Sequence, residues 1–157
     1  MIIGKYPGLR LRRSRKQSWS RRLIQENTLS PNDFILPIFL IDGSNKKYEI
    51  RSMPGVYRYT INRLSQIVDR AIKKKIPMVA LFPKTQNELK DELGTESLNE
   101  KNLVCRAIQE IKKRYKNQIG IMCDVALDPY TSHGHDGLLK KNTILNDETL
   151  DILINQA

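Results

Sequence analysis

The sequence has 157 residues, 39% of them hydrophobic, which is enough for one compact domain with a core and excludes a disordered or fibrous chain. No apolar run reaches the roughly 18 residues that a membrane-spanning helix needs, and no hydrophobic secretory segment opens the chain. The net charge of +10 is uneven, because eight basic residues and no acidic ones precede Glu26. These features predict a cytoplasmic protein without a membrane partner.

Residues 1–34 are predicted to form a basic N-terminal arm with one short helix, which Ser18 is placed to cap. Three roles for its charge stay open: binding nucleic acid phosphates, acting as an Arg- and Ser-rich transit peptide, or docking on an acidic neighbouring subunit. Nucleic acid is disfavoured as a partner, because the basic residues are not interleaved with aromatic residues for base stacking and Trp19 stands alone.

The segment 35–157 is predicted to fold as one α/β domain. The nearly continuous apolar run 34–41 is typical of a strand that is buried on both faces. A long polar loop is expected over 45–58. Apolar residues then recur with helical spacing over 61–72, and Thr60 is a suitable N-cap for that helix.

A second buried strand is predicted over 78–82, and a polar loop follows over 83–99. A second amphipathic helix is expected over 100–116, and a third strand over 119–125. Asn146 is placed to cap a third helix.

The predicted order after the arm is therefore β-α-β-α-β-α. Alternation of this kind, with buried strands, indicates a parallel sheet with right-handed crossovers. It is compatible with the start of a doubly wound sheet or of a barrel. A dinucleotide-binding fold is disfavoured, because no Gly-rich phosphate turn follows the first strand.

The two cysteines, Cys105 and Cys123, have no metal-ligand or CxxC spacing. Cys105 lies among helix-forming residues and Cys123 within an apolar strand. We expect both to be buried free thiols in a reducing compartment.

The densest concentration of reactive side chains lies in the segment 124–137, at the start of a loop that is rich in Asp, His and Gly. Three carboxylates, two imidazoles and three hydroxyls occur within these fourteen residues. The segment follows the C-terminal end of a strand, where parallel α/β folds form their active sites. Carboxylate-rich sites suit Mg²⁺, whereas thiolates favour Zn²⁺. The alternative is a solvated loop in which Asp and Gly serve only to make turns.

This segment resembles the metal loop of porphobilinogen synthase (δ-aminolevulinic acid dehydratase). Zinc-type members carry cysteines where this chain has Ala126, Asp128 and Asp136, so the loop is similar to the aspartate-bearing variant that lacks the catalytic zinc. Further stretches that resemble the family extend over nearly the whole chain: 9–13, 29–33, 36–39, 52–57, 80–82 and 145–148.

The resemblance implies the N-terminal part of a (β/α)8 TIM barrel, with three βα units and an extended arm that embraces a neighbouring subunit. It implies that Asp124 is the family's active-site aspartate and that Phe82 and Ser132 belong to the substrate pocket, although core packing is an equal alternative for Phe82. Three residues occupy or adjoin the metal positions: Asp128, Asp136 and His135. Mg²⁺ is the expected metal, if one is bound, and Zn²⁺ is not expected.

Members of the family join two 5-aminolevulinate molecules through Schiff bases on two lysines, which the resemblance places on later strands than this sequence reaches. A Schiff base needs an amine whose pKa is lowered by a buried or cationic setting. Three other lysines are expected to be solvated and not to substitute: Lys84, Lys140 and Lys141.

We therefore expect a half-length homologue without dehydratase activity alone, which acts as an oligomeric interaction, regulatory or ligand-binding protein. One alternative is a fragment or complementing part of an active porphobilinogen synthase of heme biosynthesis. Another is a different metal-dependent activity of the Asp/His loop. A natural short relative is favoured over a fragment. The arm and the open sheet edges predict self-association, and a full-length synthase is a further candidate partner.

Overall fold

The computed structural model describes residues 4–5, 7–9, 12–44 and 46–157. Positions 1–3, 6, 10 and 11 of the predicted arm, and position 45 at the start of the predicted polar loop, lie outside the described residues. The chain separates into two compact units, Met1–Ser30 and Pro31–Ala157. No helix among the described residues is long and apolar enough to cross a membrane.

The described residues of the first unit form two short helices, α1 (Arg13–Lys16) and α2 (Ser18–Leu23), where the sequence predicted one. The prediction that Ser18 caps a helix is wrong, because Ser18 is already the first residue of α2. Gln17 stands at the N-cap position and makes no side-chain capping hydrogen bond.

The second unit is built on a five-stranded sheet with the strand order β2-β3-β1-β4-β5. The strands are β1 (Ile35–Ile41), β2 (Lys47–Glu49), β3 (Tyr57–Tyr59), β4 (Met78–Lys84) and β5 (Gly120–Cys123). All neighbours pair in parallel except β2, which runs antiparallel to β3. The three predicted strands and their parallel pairing are confirmed.

The described part of this unit also contains three α-helices and a second hairpin, with short 3-10 turns between the elements. The helices are α3 (Leu64–Lys73), α4 (Leu103–Tyr115) and α5 (Asn146–Gln156). The hairpin consists of β6 (Leu138–Lys140) and β7 (Thr143–Leu145), within the segment predicted as loop. The three helices correspond to those predicted from apolar periodicity.

The core lies between one face of the sheet and the helices α3 and α4. Side chains alternate between the faces of a strand, and on β1 the buried pair is Ile38 and Leu40. Leu81, the register partner of Ile38, and Val79 come from β4 and belong to the same buried cluster. Apolar residues of α3 and α4, repeated at helical spacing, pack against these strand residues and complete the cluster.

The opposite face of the sheet carries no helix of the described residues. Ile35 on β1 remains 45% exposed and Met122 on β5 remains 42% exposed, and Pro37 is also exposed. The prediction that the first strand is buried on both faces is therefore wrong. The apolar sequence of β1 suits a strand that is covered on both faces, but the described residues cover only one face of it.

Two polar contacts fix α4 to its neighbours. Its Arg106 guanidinium lies 2.6 Å from the Asp42 carboxylate at the end of β1. The Tyr115 hydroxyl donates to the Asp69 carboxylate of α3 at 2.6 Å. Burial, followed by the hydrogen bond to Asp69, raises the pKa of Tyr115 to about 12. These contacts orient α4 across the sheet, so that its apolar side faces the core.

Two predicted helix caps do not form. Thr60 precedes the turn that leads into α3, but its hydroxyl donates to the Lys46 carbonyl at 2.8 Å and accepts from the Lys46 amide at 3.0 Å. It therefore secures the start of the hairpin formed by β2 and β3, which lies within the predicted polar loop. Asn146 is the first residue of α5, after an uncapped Leu145. The cap that does form is Asn102 on α4, which accepts from the Cys105 amide at 2.9 Å.

The prediction that both cysteines are buried is also wrong. Cys105 is partly buried on α4, and Cys123 is exposed at the end of β5.

We predict that Leu81→Ala destabilises the second unit by about 2–5 kcal/mol, because Leu81 is fully buried and its truncation leaves a cavity. Urea unfolding followed by circular dichroism measures the loss. The matched control is Leu93→Ala, where the side chain is 60% exposed and the expected change stays within about 0.5 kcal/mol. Equal losses for the two variants would contradict the assignment of the core.

Candidate functional site

A cavity of about 370 Å³ opens at the C-terminal ends of β1 and β4. This is the end of a parallel sheet at which ligands bind in α/β proteins. Phe39 and Phe82 form one wall, with their ring centroids 5.9 Å apart. Asp128 and Pro129, from the loop after β5, form another wall. Phe82 thus lines a cavity and is absent from the buried core cluster.

The predicted loop after β5 is anchored by its own apolar residues. Leu127 is completely buried, and Tyr130 is nearly so. The amides of Tyr130 and Thr131 both donate to the Leu127 carbonyl, at 2.8 Å and 2.9 Å. This tight turn places Asp128 at its exposed tip, so that the carboxylate points away from the core and lies at the cavity.

Asp136 closes the same loop from its far end. Its carboxylate accepts a hydrogen bond from the Leu127 amide at 2.6 Å. Nearby, the Thr131 hydroxyl donates to the His135 carbonyl at 2.9 Å. The Asp136 carboxylate therefore has a structural task, and it stands close enough to Asp128 to affect the ionisation of that residue.

The three carboxylates of the loop interact electrostatically. Although much of the Asp128 side chain is exposed, its pKa is raised, chiefly by partial burial and then by the negative charges of Asp136 and Asp124. Lys90 opposes these effects. Asp124 and Asp136 therefore lie close enough to Asp128 to disfavour its ionised form.

The two histidines lie beside this group and face each other. Their ring centroids are 5.5 Å apart, and His133 Nδ1 accepts a hydrogen bond from the His135 amide at 3.1 Å. His133 Nε2 lies 3.3 Å from the Glu92 carbonyl oxygen. The His135 side chain is exposed, and so is that of Ser132, whose amide donates to the Asp91 carbonyl at 2.8 Å.

Asp91 is a support that sequence reasoning missed. Its main chain forms an isolated β-bridge with Thr131 of the loop 124–137, here called the acidic loop. The Asp91 carboxylate accepts hydrogen bonds from the amides of Leu93 and Thr95, both at 3.0 Å. Hydrogen bonds from Thr95 are the main cause of a lowered pKa for Asp91. The available signal was an aspartate shortly before Gly94, a combination that is typical of a side-chain-stabilised turn.

Among the described residues, no group of three or more His, Cys, Asp or Glu side chains is arranged to hold a metal ion. Asp136 lies close enough to Asp128 to raise its pKa. The Asp136 carboxylate, however, already accepts a hydrogen bond from the Leu127 amide. The imidazole of His135, the third predicted ligand, lies beside the ring of His133.

The sequence is similar to known proteins of one family. The family model for delta-aminolevulinic acid dehydratase matches residues 8–157. The chain is 52% identical over 149 residues to the delta-aminolevulinic acid dehydratase of Bradyrhizobium diazoefficiens, covering 95% of this chain and 42% of that relative. The enzyme of Ruminiclostridium josui is 37% identical over 144 residues, covering 92% of this chain and 69% of the relative.

A solved structure agrees with the fold. It is delta-aminolevulinic acid dehydratase (porphobilinogen synthase) from Toxoplasma gondii ME49, in complex with the reaction product porphobilinogen. The match has a TM-score of 0.86 and 39% sequence identity, and it covers 94% of this chain and 42% of that one. The predicted fold class, a partial TIM barrel, is thereby confirmed. The chain spans about two fifths of the length of the Bradyrhizobium relative and of this structure.

We predict that Asp136→Asn lowers the pKa of Asp128, because it removes a neighbouring negative charge and keeps an oxygen that can accept from the Leu127 amide. Carboxyl carbon shifts followed by NMR over a pH titration measure the change. The control is Asp147→Asn on α5, which is expected to leave the Asp128 titration unchanged. An unaltered or raised pKa of Asp128 in the first variant would show that the two carboxylates do not interact.

Proposed function

We propose that this chain, which belongs to the delta-aminolevulinic acid dehydratase family, is a self-associating, ligand-binding homologue. Its 157 residues do not form porphobilinogen without another polypeptide. The ligand binds in the cavity between Phe82 and Asp128. Whatever covers the open face of the sheet governs any further activity of this folded unit.

The observation that carries the proposal is the setting of the lysines. Schiff-base chemistry needs an amine that loses its proton near neutral pH, which burial or a neighbouring cation provides. None of the described lysines is among the buried residues. Lys84 lies at the end of β4 and lines the cavity, and its side chain is exposed. An exposed side chain of this kind lacks the buried or cationic setting that Schiff-base chemistry needs.

The uncovered face of the sheet supports self-association. Ile35 and Met122 expose apolar surface on that face, and Leu150 and Ile154 do so on α5. Among the described strands, β5 is a sheet edge, and an open edge readily pairs with another chain. A second copy of the chain is the proposed cover, and the basic arm is a further proposed contact between copies.

A second candidate function is that of a complementing part of an active synthase. It is favoured by the acidic loop, which stands at the catalytic end of the sheet with Asp124, Asp128 and Asp136 close together. In this case the missing amines would come from another polypeptide, and Asp124 would take the role of the family's active-site aspartate.

The metal preference is also a proposal. The loop offers carboxylates where zinc-type relatives offer thiolates, and carboxylates favour Mg²⁺. The described His, Cys, Asp and Glu side chains form no group of three that could hold a metal ion. A reducing compartment, the cytoplasm, is proposed because both cysteines are free thiols.

We predict that the purified chain forms no porphobilinogen from 5-aminolevulinate, with either Mg²⁺ or Zn²⁺ added, since no described lysine has a desolvated amine. Colorimetric detection of the pyrrole measures the product, and the full-length Bradyrhizobium relative serves as the positive control. Turnover by the chain alone would contradict the first proposal.

A second arm of this assay separates the two candidate functions. The chain is co-expressed with the part of the Bradyrhizobium relative that it does not cover. Activity that appears in the mixture and is lost with Asp124→Asn would favour the complementing role. Continued inactivity, with both polypeptides folded and co-purifying, would favour the non-catalytic homologue.

A further inference from the structure

The helix α5 presents an exposed face that is both apolar and acidic. Leu150 is 55% exposed and Ile154 is 71% exposed, one turn apart on the helix. Asp147 and Asp151 are also exposed, and all four residues share one side of the helix, because positions three, four and seven apart lie on one face. These four residues are called the acidic apolar face. The segment 146–157 carries three acidic residues and no basic one, in a chain whose net charge is +10.

The opposite side of α5 fixes the orientation of this helix. Thr149 is buried there, and its hydroxyl accepts a hydrogen bond from the Leu138 amide of the hairpin β6–β7 at 3.0 Å. The Gln156 side-chain amide donates to the Ala126 carbonyl, in the loop after β5, at 3.1 Å. Because these contacts hold α5 from one side, the acidic apolar face is turned outward.

A second cavity, of about 250 Å³, lies between α3 and the strands β1 and β3. Its lining is largely aliphatic and aromatic, and includes Leu36, Val56 and Tyr57. Among the described residues that line it, the charged ones are Arg70 and Lys74, both exposed on or at the end of α3. None of these lining residues belongs to α5, so the acidic apolar face of the same copy does not fill the cavity.

The two cations belong to a larger basic region. Residues 46–75 contain nine basic residues and two acidic ones. Both acidic side chains already accept hydrogen bonds within the chain: Asp69 from the Tyr115 hydroxyl at 2.6 Å, and Glu49 from the Gly55 amide at 3.2 Å. A partner that fits this cavity therefore brings negative charge together with apolar side chains.

Charge distinguishes between two exposed apolar segments of this chain as occupants of the cavity. Trp19 and Leu23 of the arm are 62% and 78% exposed, but eight basic residues and no acidic ones precede Glu26. Such a segment is repelled by Arg70 and Lys74. The acidic apolar face instead offers carboxylates beside two apolar side chains one turn apart, which is how an amphipathic helix binds an apolar groove.

We propose that the acidic apolar face of one copy of the chain docks in this cavity of a second copy. Leu150 and Ile154 contact its apolar lining, and the two aspartates of the face pair with Arg70 and Lys74. The inference rests on the proposed self-association and names the surfaces that meet. Because the two surfaces differ, the contact is heterologous: each copy offers one helix and one cavity, so copies join into a ring or an open chain.

Charge reversal on each surface, followed by sedimentation velocity over a range of concentrations, tests the contact. The helix variant carries Asp147→Lys and Asp151→Lys, and the cavity variant carries Arg70→Glu and Lys74→Glu. Each is expected to weaken self-association by about tenfold or more, because like charges then meet. All four side chains are exposed, and circular dichroism confirms that each variant is folded.

The matched control reverses two lysines in the last turn of another helix. Lys112→Glu with Lys113→Glu on α4 changes the net charge as the cavity variant does, at exposed positions outside the cavity lining. This control is expected to associate as the unsubstituted chain does. An equal loss in the control and in the cavity variant would assign the effect to net charge and overturn the proposal.

An equimolar mixture of the helix variant and the cavity variant provides the sharpest comparison. Each helix in the mixture then meets a cavity of opposite charge on the other variant. We expect the mixture to associate about as strongly as the unsubstituted chain, although each variant alone associates weakly. No gain in association on mixing would overturn the proposed pairing of these two surfaces.

The same measurements separate failure of this contact from failure of self-association itself. If the unsubstituted chain associates and both reversed variants associate equally well, the docking of α5 in the cavity is wrong, whereas self-association through the open face of the sheet stands. If the unsubstituted chain is a monomer at every concentration, the proposed self-association fails, and the docking contact fails with it.

Discussion

The in-register parallel pairing of β1 with β4 is the constraint on which the rest of the structure depends. It runs from Ile35 beside Met78 to Ile41 beside Lys84. Because side chains alternate along both strands, this register decides which residues reach the helices and which reach the open face. A slip of one residue would move Leu81 out of the core and turn Phe82 away from the cavity.

The same register builds the candidate site. It aligns Phe39 and Phe82 in one row, which β3 extends to Arg58. The acidic loop after β5 joins this row because Leu127 is buried and Asp136 accepts from its amide. The site therefore combines a rigid row of strand residues with a loop secured at both ends, which is how binding residues are commonly held in α/β folds.

Much of this arrangement could be predicted from the sequence, and the failures have physical reasons. The apolar runs and helical periodicities identified the three long strands and three helices, because burial of apolar faces dominates those elements. The strands β2 and β3 were missed because they are short and polar, and Thr60 holds them through a contact with Lys46. The acidic loop was found because its residues are adjacent in sequence. Arg58, Lys90 and Asp91 were missed because only tertiary folding brings them to that loop.

The central claim is that one face of this sheet is uncovered and that a second copy of the chain covers it. Sedimentation velocity over a range of concentrations tests this claim most directly, with Met122→Lys as the comparison because it places a charge on the exposed face. The account predicts concentration-dependent association of the unsubstituted chain, and a shift towards monomer in Met122→Lys. A monodisperse monomer at every concentration, or association that Met122→Lys leaves unchanged, would contradict it.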